Sequence, residues 1–447
     1  MQNKNTNLMT EGSITKSILL FSLPLILGNL LQQLYNTADS IVVGNLIGSN
    51  ALAAVGSGTV LINLLIAFSQ GTAVGAGIIT SQYLGANDKK RTQFAVHSSL
   101  ALAVIIGLIL SACGIIFGKE LLVLMKTPAE ILDDSVTYLR IYFGGLIFNV
   151  IYNMAAGIMN AAGNSKRSLR YLAYASVINI GLDLLFVAVF KMGINGTATA
   201  TVISQFISCV LSILFLMRVN ADYKVSLKKI RLQKNASLKI LKTGFPTGLQ
   251  NTVISISNVL VQSGINGFGA TAMAGFGAYL KIDGFNILPV LSFAMASTTF
   301  VGQNYGAGKL DRVKKGMIST LIMGIVYTVI IGILLLSFST PIMRLFTSDP
   351  AVISYGKEAM KYFCPFYSLL AILNCLAGTV RGTGKTIPPM LIMLVSMCLF
   401  RIAWIQFVLP HFNSINYIYL IYPVSWALGS AMMILYTVFG KWMKIKQ

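Results

Sequence analysis

Apolar residues run through this chain in long blocks broken by short polar segments. The blocks lie near 14–38, 51–81, 94–117, 138–160, 170–190, 196–217, 240–264, 271–298, 316–339, 361–379, 387–409 and 415–439. A bilayer's hydrocarbon core takes about 20 residues of helix to cross, so the pattern predicts an all-α membrane protein of twelve transmembrane helices. Only three of the thirteen acidic residues interrupt the apolar pattern, Asp39, Asp183 and Asp283. A carboxylate at the bilayer centre costs about 2.5–3.5 kcal/mol on insertion scales. Such a residue marks function until shown otherwise.

The chain also resembles itself. Gln82-Tyr83-Leu84-Gly85-Ala86-Asn87-Asp88-Lys89-Lys90-Arg91 returns, at an offset of 221 in the numbering, as Gln303-Asn304-Tyr305-Gly306-Ala307-Gly308-Lys309-Leu310-Asp311-Arg312. Ala156-Gly157 with Gly163 returns as Ala377-Gly378 with Gly384, and Phe186-Val187 as Phe407-Val408, at the same offset. Pro24 and Pro246 differ by 222. Six spans per half is an even number, so both halves enter the membrane from one side. The expectation is two pseudo-symmetric six-helix bundles in parallel repeat, related about the membrane normal, with a cavity between them and a rocking motion. The domains are then 1–217, a cytoplasmic linker 218–239, and 240–447, the basic stretch continuing to 242.

Charge gives the orientation. The chain is 55% hydrophobic and 11% charged with a net charge of +21, against about a quarter charged in soluble domains. Segments on the side of the first residues hold all of that excess, +7 of it in 218–242, while the opposite side and the membrane sum to zero. Cytoplasmic segments of membrane proteins concentrate Lys and Arg, so both termini are expected in the cytoplasm and no nucleic acid as partner. The first dozen residues are polar and the first span is too long for a signal-peptide core, so no cleavage is expected. Cys113, Cys209, Cys364, Cys375 and Cys398 read as small hydrophobes without a metal site.

Asp39 and Asp183 break the repeat. Their counterparts are Val261 and Trp404, and neither the first nor the fifth span holds a basic residue at membrane depth to neutralise them. Asn179 is four residues before Asp183, and Tyr35 and Asn36 share a helix face with Asp39. Thr197 and Thr201 are four apart on the sixth span. Carboxylate, amide, hydroxyl and carbonyl oxygens suit a hard cation, and two close carboxylates would take up one proton or one metal ion near neutral pH. If spans one, five and six meet, Asp39, Asn179, Asp183 and Thr201 converge on a Na⁺ or a proton. Asp283 lies near Lys281, which offers local neutralisation, or else it lines a cavity. Arg140 and Arg401 are expected to snorkel or to pair across helices. Pro24 removes a backbone hydrogen bond and permits a kink in the first span. His97 and His411 are isolated, no phosphate-binding loop is present, and the chain reads as a non-enzyme without a cofactor, driven by an ion gradient.

With these residues the chain resembles the multidrug and toxic compound extrusion (MATE) family. The resemblance rests on Pro24 and Asp39, the two glycine-bearing segments at 82–86 and 303–307, Gly157 to Gly163 and Gly378 to Gly384, and Asn179 with Asp183. It implies a monomeric plasma-membrane exporter of small cationic, amphipathic compounds in antiport with Na⁺ or H⁺. It also implies a cation site at Asp39, Asn179, Asp183, the carbonyl of Thr197, and Thr201. Candidate substrate-cavity residues are Tyr35, Asn36, Asn153, Gln250 and Asp283. The seventh span offers Gln250, Asn251, Asn258 and Gln262 and the tenth Asn374, where the NorM branch carries acids, so the DinF and MepA-like branches are closer. The alternative, a flippase for a lipid-linked precursor, would favour Arg or Lys at a pyrophosphate, which the spans scarcely supply.

The one-sided charge predicts that a cysteine placed in the 218–242 linker stays unlabelled when an impermeant maleimide is added outside intact cells. Labelling from outside would reverse the orientation.

Overall fold

A computed structural model describes residues 7–412 and 414–444. Twelve long helices follow in order: Ile14–Leu46, Ser49–Gly85, Lys89–Leu124, Ala129–Ala161, Ser165–Val189, Ile194–Arg218, Lys234–Asn266, Ala270–Gly306, Leu310–Ser337, Pro350–Gly382, Ile387–His411 and Asn416–Phe439. Most run past the apolar blocks because polar residues end them. Asp88 accepts the Arg91 N–H at 2.9 Å at the start of the third helix, and Asp349 accepts that of Ala351 at 2.8 Å at the start of the tenth, satisfying donors that a helix start leaves free. Eleven are long and apolar enough to cross a bilayer. The seventh is not among them, because Lys239, Lys242, Gln250, Asn251, Asn258 and Gln262 dilute its apolar run. On the ninth, Ile322, Val326, Ile330 and Ile333 are exposed along one stripe, as expected of a face turned to lipid.

The repeat is visible element by element. Ser49–Gly85 and Ala270–Gly306 begin and end at the offset of 221 found in the sequence, as do Ala129–Ala161 and Pro350–Gly382. The recurring segment at 82–91 and its copy at 303–312 turn out to be the tight connections after the second and eighth helices. Asn87 and Gly308, related by the same offset, both sit at positive φ (55° and 72°), a backbone region that Asn and Gly tolerate best. A Cβ on Gly157 would meet the Ala73 carbonyl at 2.8 Å, and one on Gly378 would strike the carbonyl of Ala294. The same glycine thus allows the same helix crossing in each half.

The chain separates into two compact units, but not at the linker. Among the described residues, the first holds Asn7, Leu8 and Leu23–Gly248, and the second holds Met9–Ser22 and those from Leu249 onward. Of the three changes of unit, the two inside helices fall within two residues of a proline, Pro24 in the first helix and Pro246 in the seventh. The reason is packing at the start of each helix. Gly244 and Gly248 of the seventh helix lie backbone to backbone against Gly71 and Gly75 of the second, where a Cβ on Gly75 would come to 2.5 Å of the Gly244 nitrogen. Paired Gly-x-x-x-Gly segments let membrane helices approach this closely. In the second unit, Arg312 donates to the carbonyls of Met9, Glu11 and Gly12 at 3.1, 3.2 and 3.0 Å, and Ser319 bonds Thr15 at 2.9 Å.

The stretch after the sixth helix is therefore no free tether. Val219, Ala221, Tyr223 and Val225 are buried in the first unit. Ser98 Oγ accepts the Gln233 N–H at 3.1 Å. His97, isolated in sequence, pins this segment: its Nε2 accepts the Ser226 N–H at 3.0 Å, which leaves Nδ1 to donate to the Gln93 carbonyl at 2.7 Å. Burial pushes the Tyr223 hydroxyl up to about 12, so it stays protonated.

Gly71→Val would force a branched side chain into the backbone of Gly248, and overpacking of this kind costs about 1–3 kcal/mol or more. The expected result is a clear loss of thermal stability in detergent by fluorescence size-exclusion, with Gly56→Ala, where nothing lies within 4 Å, unaffected.

Candidate functional site

The fifth helix is α-helical to Asp183 and widens into a π-helical turn over Leu184–Val189. Such turns occur often at functional positions. One turn apart just before it, Asn179 and Asp183 are 1% and 0% exposed. The sixth helix starts after Gly193, whose φ of 60° suits glycine, and carries Thr197 and Thr201 inward, both buried. Asn179 Nδ2 donates to Thr201 Oγ1 at 3.4 Å, and Thr201 Oγ1 donates to the Thr197 carbonyl at 3.1 Å.

Asp39 reaches the same place from the first helix. A Cβ at Gly28 would meet Leu169 and Leu172 of the fifth helix at 3.6 and 3.7 Å, so the two helices run close and in the same direction. Three turns further along each, Asp39 and Asp183 face each other within hydrogen-bonding reach. That contact is a hydrogen bond only when one carboxyl holds a proton. As carboxylates, Asp183 has neither oxygen partnered, and Asp39 Oδ1 is likewise buried without a partner. Asn179 Oδ1 and Thr197 Oγ1 are also unpartnered. Five buried oxygens from four side chains therefore await a donor or a cation, although an unmade buried hydrogen bond ordinarily costs about 1–3 kcal/mol.

Five of the expected residues thus meet: Asp39, Asn179, Asp183, Thr197 and Thr201. Thr197 differs in detail. Its carbonyl is engaged by Thr201, and its hydroxyl is the unpartnered oxygen. Gln205, a turn beyond Thr201, went unremarked in the sequence. It donates to the Tyr142 hydroxyl at 3.1 Å and leaves its own Oε1 buried and unpartnered. Its four-residue spacing from Thr201 was the available signal, whereas only the fold brings Tyr142 there. Tyr35 lies half-buried one turn before Asp39, while Asn36 is exposed. Asn153 donates to Asn149 at 2.8 Å.

The other two expected cavity residues, Gln250 and Asp283, belong to the second unit. Gln250 is buried with Oε1 unpartnered. Asp283 is not neutralised by Lys281, which points outward. It accepts instead from the hydroxyls of Tyr367 at 2.7 Å and Tyr279 at 3.3 Å, themselves 2.7 Å apart. Two residues along a helix face away from one another, so Lys281 lies on the wrong side. Arg401 does not snorkel either: it is 2% exposed, because Asn258 and Ser425 hold its guanidinium inside.

The MatE family profile matches residues 24–185 and 246–405, one stretch per repeat. The probable multidrug resistance protein YpnP of Bacillus subtilis (strain 168) is 30% identical over 98% of both chains. The probable multidrug resistance protein NorM of Thermotoga maritima is 25% identical over 96% of this chain and 94% of its own. Among solved structures, the outward-facing conformation of a multidrug resistance MATE family transporter of the MOP superfamily superposes with a TM-score of 0.90, at 22% identity over 99% of this chain and 98% of the other.

Two facing carboxylates repel one another when both are ionised, and a bound cation or proton would relieve that repulsion. In purified protein, Na⁺ or mild acidification is expected to raise the melting temperature, by about 2.7 kcal/mol of stability at a hundredfold excess over Kd. Asp183→Asn is expected to melt no lower than the parent in Na⁺-free buffer at neutral pH, and to lose that response. A variant that responds as the parent does would remove Asp183 from the site.

Proposed function

Because the chain belongs to the MatE family, we propose that it is a secondary active multidrug exporter, antiporting lipophilic cationic compounds against Na⁺ or H⁺ by alternating access. The observation that carries this reading is the set of buried, unpartnered oxygens on Asp39, Asn179, Asp183 and Thr197. A resting protein gains nothing from such a set, whereas a coupling cation or proton satisfies it in one conformation and leaves it bare in another. An ion shifts a conformational equilibrium only by its difference in affinity for the two states, and about 1.4 kcal/mol of difference is worth tenfold. Relief of the Asp39 and Asp183 repulsion is of a kind to supply it.

Substrate class follows from sign and surface. The first unit carries a buried and a half-buried carboxylate, Asp183 and Asp39, and the apolar spans few fixed positive charges, which favours lipophilic monocations. Aromatic faces and methionine side chains would hold them through cation–π and soft contacts. Tyr35, Asn36, Asn153, Gln250 and Asp283 remain the proposed substrate contacts. The protein would act as a monomer in the plasma membrane with both termini in the cytoplasm. The multidrug names of its relatives lend the flippase alternative no support.

The test is ethidium export from proteoliposomes with Na⁺ and pH gradients imposed separately. One gradient should drive export, Asp39→Asn and Asp183→Asn should each abolish it with the protein still folded and inserted, and Asp283→Asn should weaken it less. Native-rate export by Asp39→Asn under the same gradient would refute this coupling mechanism.

A further inference from the structure

We propose that Arg401 is a built-in cation, its guanidinium permanently occupying, in the second half of the repeat, the place where the first half gathers its exchangeable ion. The inference rests on the cation site proposed above and adds what its missing twin has become.

Position carries the first part of the argument. At the repeat offset of 221, Tyr422 corresponds to Thr201, Ser425 to Ser204, and Arg401 to Ile180, the neighbour of Asn179. Asn258 corresponds to Asn36 at 222, the offset that also aligns Pro246 with Pro24. Arg401 of the eleventh helix therefore joins the seventh and twelfth as the first site joins the first, fifth and sixth.

Chemistry carries the second. Arg401 Nη1 donates to Asn258 Oδ1 at 3.0 Å, Nε donates to Ser425 Oγ at 3.1 Å, and the guanidinium carbon stands 4.4 Å from the Tyr422 ring centroid. Amide oxygen, hydroxyl oxygen and aromatic face are what a protein offers a cation that it does not neutralise. Charged groups at membrane depth ordinarily pair with one another. Arg401, almost wholly buried, lies within 4.0 Å of no carboxylate among the described residues. Even a small device recurs. Ser425 Oγ donates to the Tyr422 carbonyl at 2.8 Å and turns its lone pair to Arg401, as Thr201 Oγ1 donates to the Thr197 carbonyl and turns its own to Asn179. Among the described residues, Asp39 and Asp183 have no salt-bridge partner, and Arg401 has no carboxylate within 4.0 Å. The second half is thus held in the form that the first adopts only when loaded, and one half alone exchanges an ion.

Removal of the side chain with replacement of its head group tests this. Arg401→Ala leaves a guanidinium-sized space beside Asn258, Ser425 and Tyr422. Millimolar guanidinium, below denaturing levels, is expected to raise the melting temperature of Arg401→Ala and restore its ethidium export, and to do neither for the parent. No rescue in a folded Arg401→Ala protein overturns the proposal, as does stabilisation of the parent by chloride or acetate through Arg401, which would make the residue an anion site. If Arg401→Ala does not insert, Arg401→Met decides, since apolar replacement of a buried charge is commonly tolerated. Export by Arg401→Met should fall about tenfold, the loss of a bias worth ~1.4 kcal/mol, with part regained in Arg401→Lys, and wild-type export by Arg401→Met overturns the proposal. The melting-temperature rescue does not depend on Asp183, so it survives in Asp183→Asn, Arg401→Ala even if the first-half coupling site is wrong.

Discussion

Two carboxylates facing each other inside a bundle of apolar helices are the constraint around which this protein is arranged. Asp183 is fully buried and Asp39 half-buried, and neither forms a salt bridge among the described residues, although a charge at membrane depth costs several kcal/mol. The surrounding structure does not relieve that cost. It adds the amide oxygen of Asn179 and the hydroxyl of Thr197, also unpartnered, and closes the fifth helix there with a π-helical turn. Satisfied polar networks make a core rigid and single-valued. An unsatisfied one makes its conformation depend on what fills it.

The repeat supplies the scaffold and, by its violations, the function. Helix limits, positive-φ turns and glycine crossings recur at one offset because each half must solve the same problem of satisfying every backbone group inside a bilayer. Residues that solve it are duplicated, as with Gly157 and Gly378 or Gly163 and Gly384. Residues that do chemistry are not. Asp39 faces Val261 in the alignment and Asp183 faces Trp404, and a guanidinium stands near the copy of Asn179.

Packing at the helix starts has a different character. Gly71 and Gly75 against Gly244 and Gly248, and Arg312 over the carbonyls of Met9 to Gly12, secure the first turns of the seventh and first helices. Both helices change unit beside a proline, where an intrahelical hydrogen bond is missing. On the first helix Asp39 lies fifteen residues beyond that proline.

The sequence by itself determined the number of helices and their duplication. Those rest on properties summed over many residues, namely apolar length and one repeat offset. It also singled out Asp39, Asn179, Asp183, Thr197 and Thr201, since charge at membrane depth is rare and four-residue spacing shows which side chains share a face. Only the tertiary structure decided which atoms are left over. That the Thr197 hydroxyl rather than its carbonyl is free, that Gln205 and Tyr142 border the site, that Tyr279 and Tyr367 rather than Lys281 hold Asp283, and that Arg401 is buried between Asn258 and Ser425 all depend on contacts between helices distant in sequence. The division of the chain within two helices rather than at the linker was hidden for the same reason. A Gly-x-x-x-Gly pair is visible in a sequence, but which helix it admits is settled only when two backbones meet.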